Sequence, residues 1–382
     1  MMDEIERQRE GWQQKAREAA KRLVAPRSAE IDAKGEFPTD MAREFGQEGF
    51  LSLLIPKEYG GEDADITSFC IVVDEIGYYC VSSALLIIAH TVGMMPVVLS
   101  DAKELKENVL ARVIKEKALF CFCLTEPGAG SDAASIQTKA LLQDNHYLLN
   151  GTKCFITNGG VSDFYSVFAV TNREKKMEGI TGFVVEKGTP GLSVGKKEEK
   201  MGIRGSNTTE VILENVQVPI VQRIGEEGVG WWLMMKTLNR SRPAIGALAV
   251  GLARGALDYV THFGQERGWA EGKDGSLSGP GMLADMAIEV EAARALVYKS
   301  ARMMDERLKG TPVQMYSAMA KYFASDVAMK ATTDAVQIME WHGLVQDHPV
   351  ERMMRDAKVI QIFEGTNQIQ RMVVAHTLLK GK

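Results

Sequence analysis

Three short stretches of this 382-residue chain carry residue types that could do chemistry together. The first, Phe122-Cys-Leu-Thr-Glu-Pro-Gly-Ala-Gly-Ser-Asp132, opens as an apolar, β-rich run and breaks into a loop of glycines and hydroxyls. Gly128 and Gly130 permit positive φ and a close backbone approach, and Thr125 and Ser131 add hydroxyls to the exposed amides, a combination suited to phosphate oxygens. A Gly-rich turn after a strand is more often plain turn chemistry, so that reading needs a companion. Gly151-Thr-Lys-Cys-Phe-Ile-Thr-Asn-Gly159 supplies one, a second strand-and-turn with its own hydroxyl and glycine. The third stretch, Val359-Ile-Gln-Ile-Phe-Glu-Gly-Thr-Asn-Gln-Ile-Gln-Arg371, sets Glu364 between an apolar run and a Gly-Thr turn, with Asn367 placed to cap the next helix. Taken alone, this glutamate reads as a helix-start or solvated carboxylate.

The elements that must position these stretches change period twice. From Met1 to about Val113 the period is helical: one segment to about Leu23 before Pro26, a second over Thr39 to Glu48, one that includes Val81 to Leu99, and a charged block from Asp101 to Lys117. Near Ala118 short β-rich runs take over, at Ala118–Leu124, Tyr147–Ile156, Phe164–Thr171, Thr181–Val185, Leu192–Gly195 and Thr209–Val218. Strands without intervening helices predict a small antiparallel barrel or sandwich and argue against the βαβ unit of a nicotinamide dehydrogenase. The helical period returns in Trp231–Gly264, Met282–Leu308, Val313–Glu340 and Asn367–Leu379, which suggest an antiparallel bundle, and Gly268–Gly281 reads as a long loop. The expected fold class is α+β, mostly α. An N-terminal helical domain covers 1–117, a small antiparallel β-barrel domain 118–228, and an antiparallel four-helix bundle 229–382.

Composition narrows the function classes. Lys plus Arg number 45 against 50 acids, a net charge of -5, so no nucleic-acid surface is expected. Five cysteines without zinc-type spacing read as reduced, buried thiols, and no metal site is expected. The amino terminus is charged, and no run approaches roughly 18 uninterrupted apolar residues, so a cytoplasmic protein without a membrane span is the expectation.

The first two stretches, in this order and spacing, resemble the acyl-CoA dehydrogenase family, and the likeness spans essentially the whole chain. It includes Leu53-Leu-Ile-Pro-Lys-Glu-Tyr-Gly-Gly61, the segment Met201 to Pro219, and the order of helices, β domain and bundle. The resemblance implies that Phe122, Leu124, Thr125, Gly130 and Ser131, with Phe155, Ile156, Thr157, Thr366 and Gln368, hold FAD. Ser131, Asn239, Arg242 and Gly365 would contact the acyl-CoA. Glu364 would be the base that removes the α-proton of the thioester while a β-hydride passes to the flavin, giving a 2-enoyl-CoA. Such a base must be desolvated, and the enolate oxygen must meet fixed donors; the family uses the backbone N–H of this glutamate and a hydroxyl of FAD. Some branches carry the base near Ser241, where this chain has no carboxylate. A homotetramer that hands electrons to an electron-transferring flavoprotein is also implied.

The chain departs from the family where a neighbouring subunit would meet the cofactor. Arg267 remains, but Ala270 and Glu271 stand where Phe and Gly are usual. Gln337 and Gly343 remain, but Glu340 and Trp341 replace two glycines. A Trp does not fit where backbone must approach a ligand, and a Glu repels a pyrophosphate. Three explanations are open: a reshaped adenine end that still binds FAD, a hetero-oligomer whose second chain supplies the missing half, or a non-redox lyase or hydratase step using the same base. Asn207 stands where many members have Asp. His342 reads as structural or merely exposed, and the resemblance places His90 where members line the acyl pocket, a position open to tuning substrate choice or to a purely structural role.

Overall fold

A computed structural model of the chain describes residues 2–271, 278–306 and 311–380. The N-terminal part contains α1 (Met2–Ala19), α2 (Ser28–Lys34), α3 (Thr39–Gln47), α4 (Ile66–Gly77), α5 (Val81–Leu99) and α6 (Lys103–Glu116). Eight strands follow: β1 (Phe120–Cys123), β2 (Lys139–Gln143), β3 (His146–Thr157), β4 (Phe164–Val170), β5 (Ile180–Glu186), β6 (Leu192–Lys197), β7 (Thr208–Pro219) and β8 (Arg223–Ile224). The C-terminal part contains α7 (Gly230–Glu266), α8 (Ser278–Asp305), α9 (Thr311–Met339), α10 (Val350–Ile360) and α11 (Asn367–Lys380). The expected mostly helical chain around a small β domain is what forms.

Several details differ from the sequence expectation. α4 was not expected: ten of its twelve residues are buried, so it shows no exposed stripe, and its start is fixed by Asp65, which accepts from Ser68 N–H at 2.7 Å. α2, of seven residues, and α10, of eleven, were not expected either. The sheet, in the order β6-β7-β3-β2-β4-β5-β8, is mixed rather than purely antiparallel. β1 pairs parallel with β4, Phe120 against Phe164 through Cys123 against Val167, and β2 meets β4 in parallel at Lys139 and Val170. The expected loop Gly268–Gly281 is a short helical turn at Trp269–Glu271 and the start of α8 from Ser278; residues 272–277 lie outside the described residues.

Two helices, Val81–Leu99 and Gly230–Glu266, reach the length and mean hydropathy of a membrane span, although polar residues interrupt both. Both are core elements: 89% and 72% of their apolar windows are buried inside the protein. α7 packs against α4, α5, α8, α9 and α10, so it needs an apolar surface on most sides. All five cysteines are buried free thiols.

His90 does not line an open pocket. Its ring is fully buried in α5, where Nδ1 accepts from Phe120 N–H at 3.2 Å and Nε2 therefore donates to the Leu51 carbonyl at 2.9 Å. Burial holds the imidazole neutral, with its pKa lowered to about 4. A depressed folded pKa gives stability that is present above the unfolded value near 6.5 and is lost as pH falls through about 4. Linkage then predicts that about 3 kcal/mol of stability disappears across that window. Urea titrations at a series of pH values check this, and His90→Gln should flatten the slope.

Candidate active site

Glu364 follows α10 in a tight turn, and its backbone is left-handed at φ +56°, followed by Gly365 at φ +86°. A non-glycine residue held there is strained and persists only where its surroundings impose it. Gln370, buried in α11, imposes it from one side, donating Nε2–H to the carbonyls of Glu364 and Gly365 at 3.2 and 2.9 Å. From the other side the Lys321 ammonium on α9 donates to the Gly365 carbonyl at 3.0 Å and to Asn367 Oδ1 at 2.8 Å. At φ +86° any side chain at position 365 would be strained, and its Cβ would displace Gln370 Nε2 from the turn, so glycine is favoured there.

Asn367 is not the cap that its position suggested. Its amide is buried and spent on Lys321, Ser325 and Asp326. Thr366 caps α11 instead, its Oγ1 accepting from Ile369 N–H at 3.3 Å. Thr366→Ala is therefore expected to cost about 1 kcal/mol, and Thr366→Ser close to nothing, in equilibrium denaturation. Gln368 is exposed on the same helix.

The Glu364 carboxylate reaches across to α7, where Ser241 Oγ–H donates to Oε2 at 3.2 Å. Burial pushes its carboxyl above the ordinary glutamate value, while the Ser241 hydrogen bond and the charges of Arg242 and Lys321 pull it back. Among the described residues no hydrogen bond engages Oε1 or the Glu364 N–H, so one oxygen is free for a proton and one amide for a developing charge. Arg242 is buried beside them, its Nη1 donating to Asn239 Oδ1 at 2.8 Å and its Nε without a partner. Burial lowers its pKa, opposed by Glu364.

The loop after β1 is held by a buried ion pair that the sequence did not single out. Lys153 on β3 donates to Glu126 Oε1 at 2.7 Å and to the Leu124 carbonyl at 3.2 Å. Glu126 also accepts from Gln137 N–H, Thr138 N–H and the Thr138 hydroxyl. Burial alone would raise the Glu126 carboxyl, yet Lys153 and these donors hold it below the ordinary range, so the pair is ionised although burial also pulls the Lys153 ammonium down. Cys154 N–H ties the two stretches together by donating to the Thr125 carbonyl at 2.8 Å. In the second stretch Phe155 and Asn158 are left-handed, at φ +56° and +62°. Phe155 is 63% exposed, and the Asn158 amide donates to the Leu86 carbonyl. Asn207 donates its amide to the Gly159 carbonyl, a bond that an ionised Asp could not make.

α7 brings the two halves of the site together. Phe122 and Leu124 pack with Met234 and Leu238 of α7, and Leu238 lies three residues, or roughly 4.5 Å of helix, from Ser241. Phe122 and Phe363 also border the same apolar core. Arg267 and Gln337 are not brought to this place. Arg267 lies 26 residues beyond Ser241, about 39 Å along a helix. It sits over the Phe263 ring at 4.3 Å and 3.5 Å from His342 Nδ1, while Gln337 is exposed on α9. His342 is held in an aromatic group, 3.8 Å from the Trp341 ring and 5.6 Å from Phe263, and Glu340 adopts φ +53°.

Comparison with known proteins decides the family. The N-terminal, middle and C-terminal domain models of acyl-CoA dehydrogenase match residues 6–117, 121–216 and 228–379. The chain belongs to the acyl-CoA dehydrogenase family. It is 44% identical over 366 residues to a probable acyl-CoA dehydrogenase of Mycobacterium tuberculosis, covering 95% of this chain and 93% of that one. It is 45% identical over 366 residues to the cyclohex-1-ene-1-carbonyl-CoA dehydrogenase of Geobacter metallireducens, covering 95% and 96%. The butyryl-CoA dehydrogenase of Megasphaera elsdenii superposes with a TM-score of 0.92 at 39% identity, covering 97% of this chain and 98% of that one.

Acyl-CoA dehydrogenases are flavin-dependent oxidoreductases, and the two loop stretches of this dehydrogenase leave polar groups and space that suit such a group. Among the described residues the hydroxyls of Thr125, Ser131 and Thr157 make no hydrogen bond within the protein. A Cβ built on Gly128 or Gly130 meets nothing within 4 Å, so the loop faces open space. Phe155 presents an exposed ring at a strained backbone position. Free donors, an open loop and an unpacked aromatic fit a phosphate-bearing planar cofactor. Of the residues that organise the dehydrogenase's site, Ser241 and Lys321 lie outside the recognised stretches, whereas Glu126, Lys153 and Gln370 lie within them, with partners that the local sequence does not reveal.

Proposed function

We propose that this dehydrogenase converts an acyl-CoA thioester to its 2-enoyl-CoA, with Glu364 as the base and FAD as the hydride acceptor. The observation that carries this reading is the carboxylate itself, held in a strained left-handed turn, raised by burial, with Oε1 and its own N–H free among the described residues. Oε1 takes the α-proton while Ser241 holds Oε2. The Glu364 N–H meets the thioester oxygen as charge develops there. Arg242, Asn239, Gly365 and Ser131 would hold the CoA-bearing substrate. Phe122, Leu124, Thr125, Gly130, Ser131, Phe155, Ile156, Thr157, Thr366 and Gln368 would hold the cofactor, which when bound supplies the two-electron sink.

The distance of Arg267 and Gln337 from these residues supports a homotetramer in which a second copy brings them to the cofactor. The altered Glu340-Trp341 pair also favours a second reading, a hetero-oligomer in which a related chain does so. A cytoplasmic location and an electron-transferring flavoprotein as acceptor complete the proposal. The test is the visible spectrum of the purified chain before and after anaerobic addition of straight, branched and cyclic acyl-CoAs, the cyclic ones because of the Geobacter relative's named substrate. A flavin band that bleaches with one of them is expected. A colourless protein that takes up no added FAD would remove the homomeric reading.

A further inference from the structure

We propose that Lys321 is a positioning residue for the Glu364 base, clamping the turn that carries it and setting the charge beside it. This rests on the reading of Glu364 as base. Lys321 has no exposed surface, yet it is placed in the middle of α9 among apolar neighbours such as Ala318, Ala320 and Ala324. An unpaired lysine there would be strongly disfavoured, and one used only for packing would be replaced by methionine without loss. Instead its ammonium is directed at the turn. It donates to the Gly365 carbonyl at 3.0 Å and to Asn367 Oδ1 at 2.8 Å, and Ser325 and Asp326 hold Asn367 from behind. Gln361 donates to the same Asp326 oxygen at 2.6 Å, so both ends of the turn are tied to α9.

The charged groups that act on Lys321 are Glu364 and Asp326, which favour its ammonium, and Arg242, which opposes it; burial, the largest influence, lowers its pKa to about 7. No carboxylate forms a direct ion pair with it among the described residues. Its charge is therefore available to Glu364, where it favours the ionised, base-competent form.

Two variants separate the clamp from the charge. Lys321→Met removes both; Lys321→Gln keeps a donor for the Gly365 carbonyl and loses the charge. With FAD bound, Lys321→Met is expected to slow acyl-CoA-dependent bleaching by about tenfold or more at nearly unchanged KM, because a misplaced base affects the chemical step. Its acidic limb should move to higher pH, since the charge that depressed the Glu364 pKa is gone. Lys321→Gln should recover part of the rate and none of the pH shift. Amide hydrogen exchange across 361–367 should quicken in Lys321→Met and be restored in Lys321→Gln, a readout that needs no turnover. Variants that bleach at the wild-type rate with an unmoved pH profile would overturn the proposal alone. A wild-type protein that binds FAD and bleaches with no acyl-CoA would overturn the function it rests on as well. If Lys321→Met does not fold, Lys321→Gln decides: an unshifted acidic limb overturns the charge role.

Discussion

Glu364→Gln is expected to abolish substrate-dependent flavin bleaching, by about 10³- to 10⁴-fold, while leaving FAD bound and the fold intact. The amide matches the carboxylate in size, and its oxygen can still accept from Ser241 Oγ–H, which lies 3.2 Å from Oε2. It cannot take the α-proton. Because burial raises the Glu364 carboxyl in the folded protein, ionising it opposes folding. Stability from such a group is full below its unfolded value and declines as pH rises through the raised folded one. Neutral glutamine should therefore melt at the same or a higher temperature than the wild type near pH 7. Loss of chemistry with unchanged or increased stability is the signature of a functional carboxylate. A rate that survives the substitution would move the base elsewhere. Glu364→Asp, shorter by one methylene, should fall between the two, with the loss in kcat rather than KM.

The second large effect is expected at Lys153, outside the chemistry. Lys153→Met leaves Glu126 buried without its cation, and breaking such a pair costs about 3 to 5 kcal/mol. It also releases the Leu124 carbonyl, so the loop that carries Thr125 to Ser131 loses its anchor to β3. A lowered midpoint in urea together with FAD retention weakened by about tenfold or more is the expected outcome. Adding Glu126→Gln should recover part of the stability, because the unpaired charge is what makes the single variant costly. A Lys153→Met protein with wild-type melting and FAD retention would show that the loop is held by its backbone contacts alone, such as Cys154 N–H to the Thr125 carbonyl.

Local pattern carried much of the fold. α5, α7, α9 and α11 are long with repeating apolar positions, and they were visible within a few residues of their ends. α4 was not, because a helix buried on nearly every side has no polar face to reveal its period. β2 was missed for the opposite reason: Leu141 and Leu142 are both exposed, so the strand shows no apolar alternation. The parallel pairing of β1 with β4 could not be read either, since it joins strands separated by two others and depends on which edges meet.

The sequence by itself determined the mostly helical fold and, through its resemblance to the acyl-CoA dehydrogenases, the family; it also offered the two turn segments and Glu364 as candidates. The candidates are legible because their glycine, hydroxyl and acid types stand in short consecutive stretches, although Glu364 alone reads as a helix-start carboxylate and takes its role as base only from the resemblance. Only the tertiary structure decided what those residues touch. Ser241 meets Glu364 across 123 positions, Lys321 meets Asn367 across 46, and Lys153 meets Glu126 across 27. It also turned His90 from a pocket residue into a backbone staple and gave the α11 cap to Thr366 rather than Asn367. The physical reason is common to all of them. A buried polar group must find a partner, and the nearest donor or acceptor is set by how helices and sheet pack.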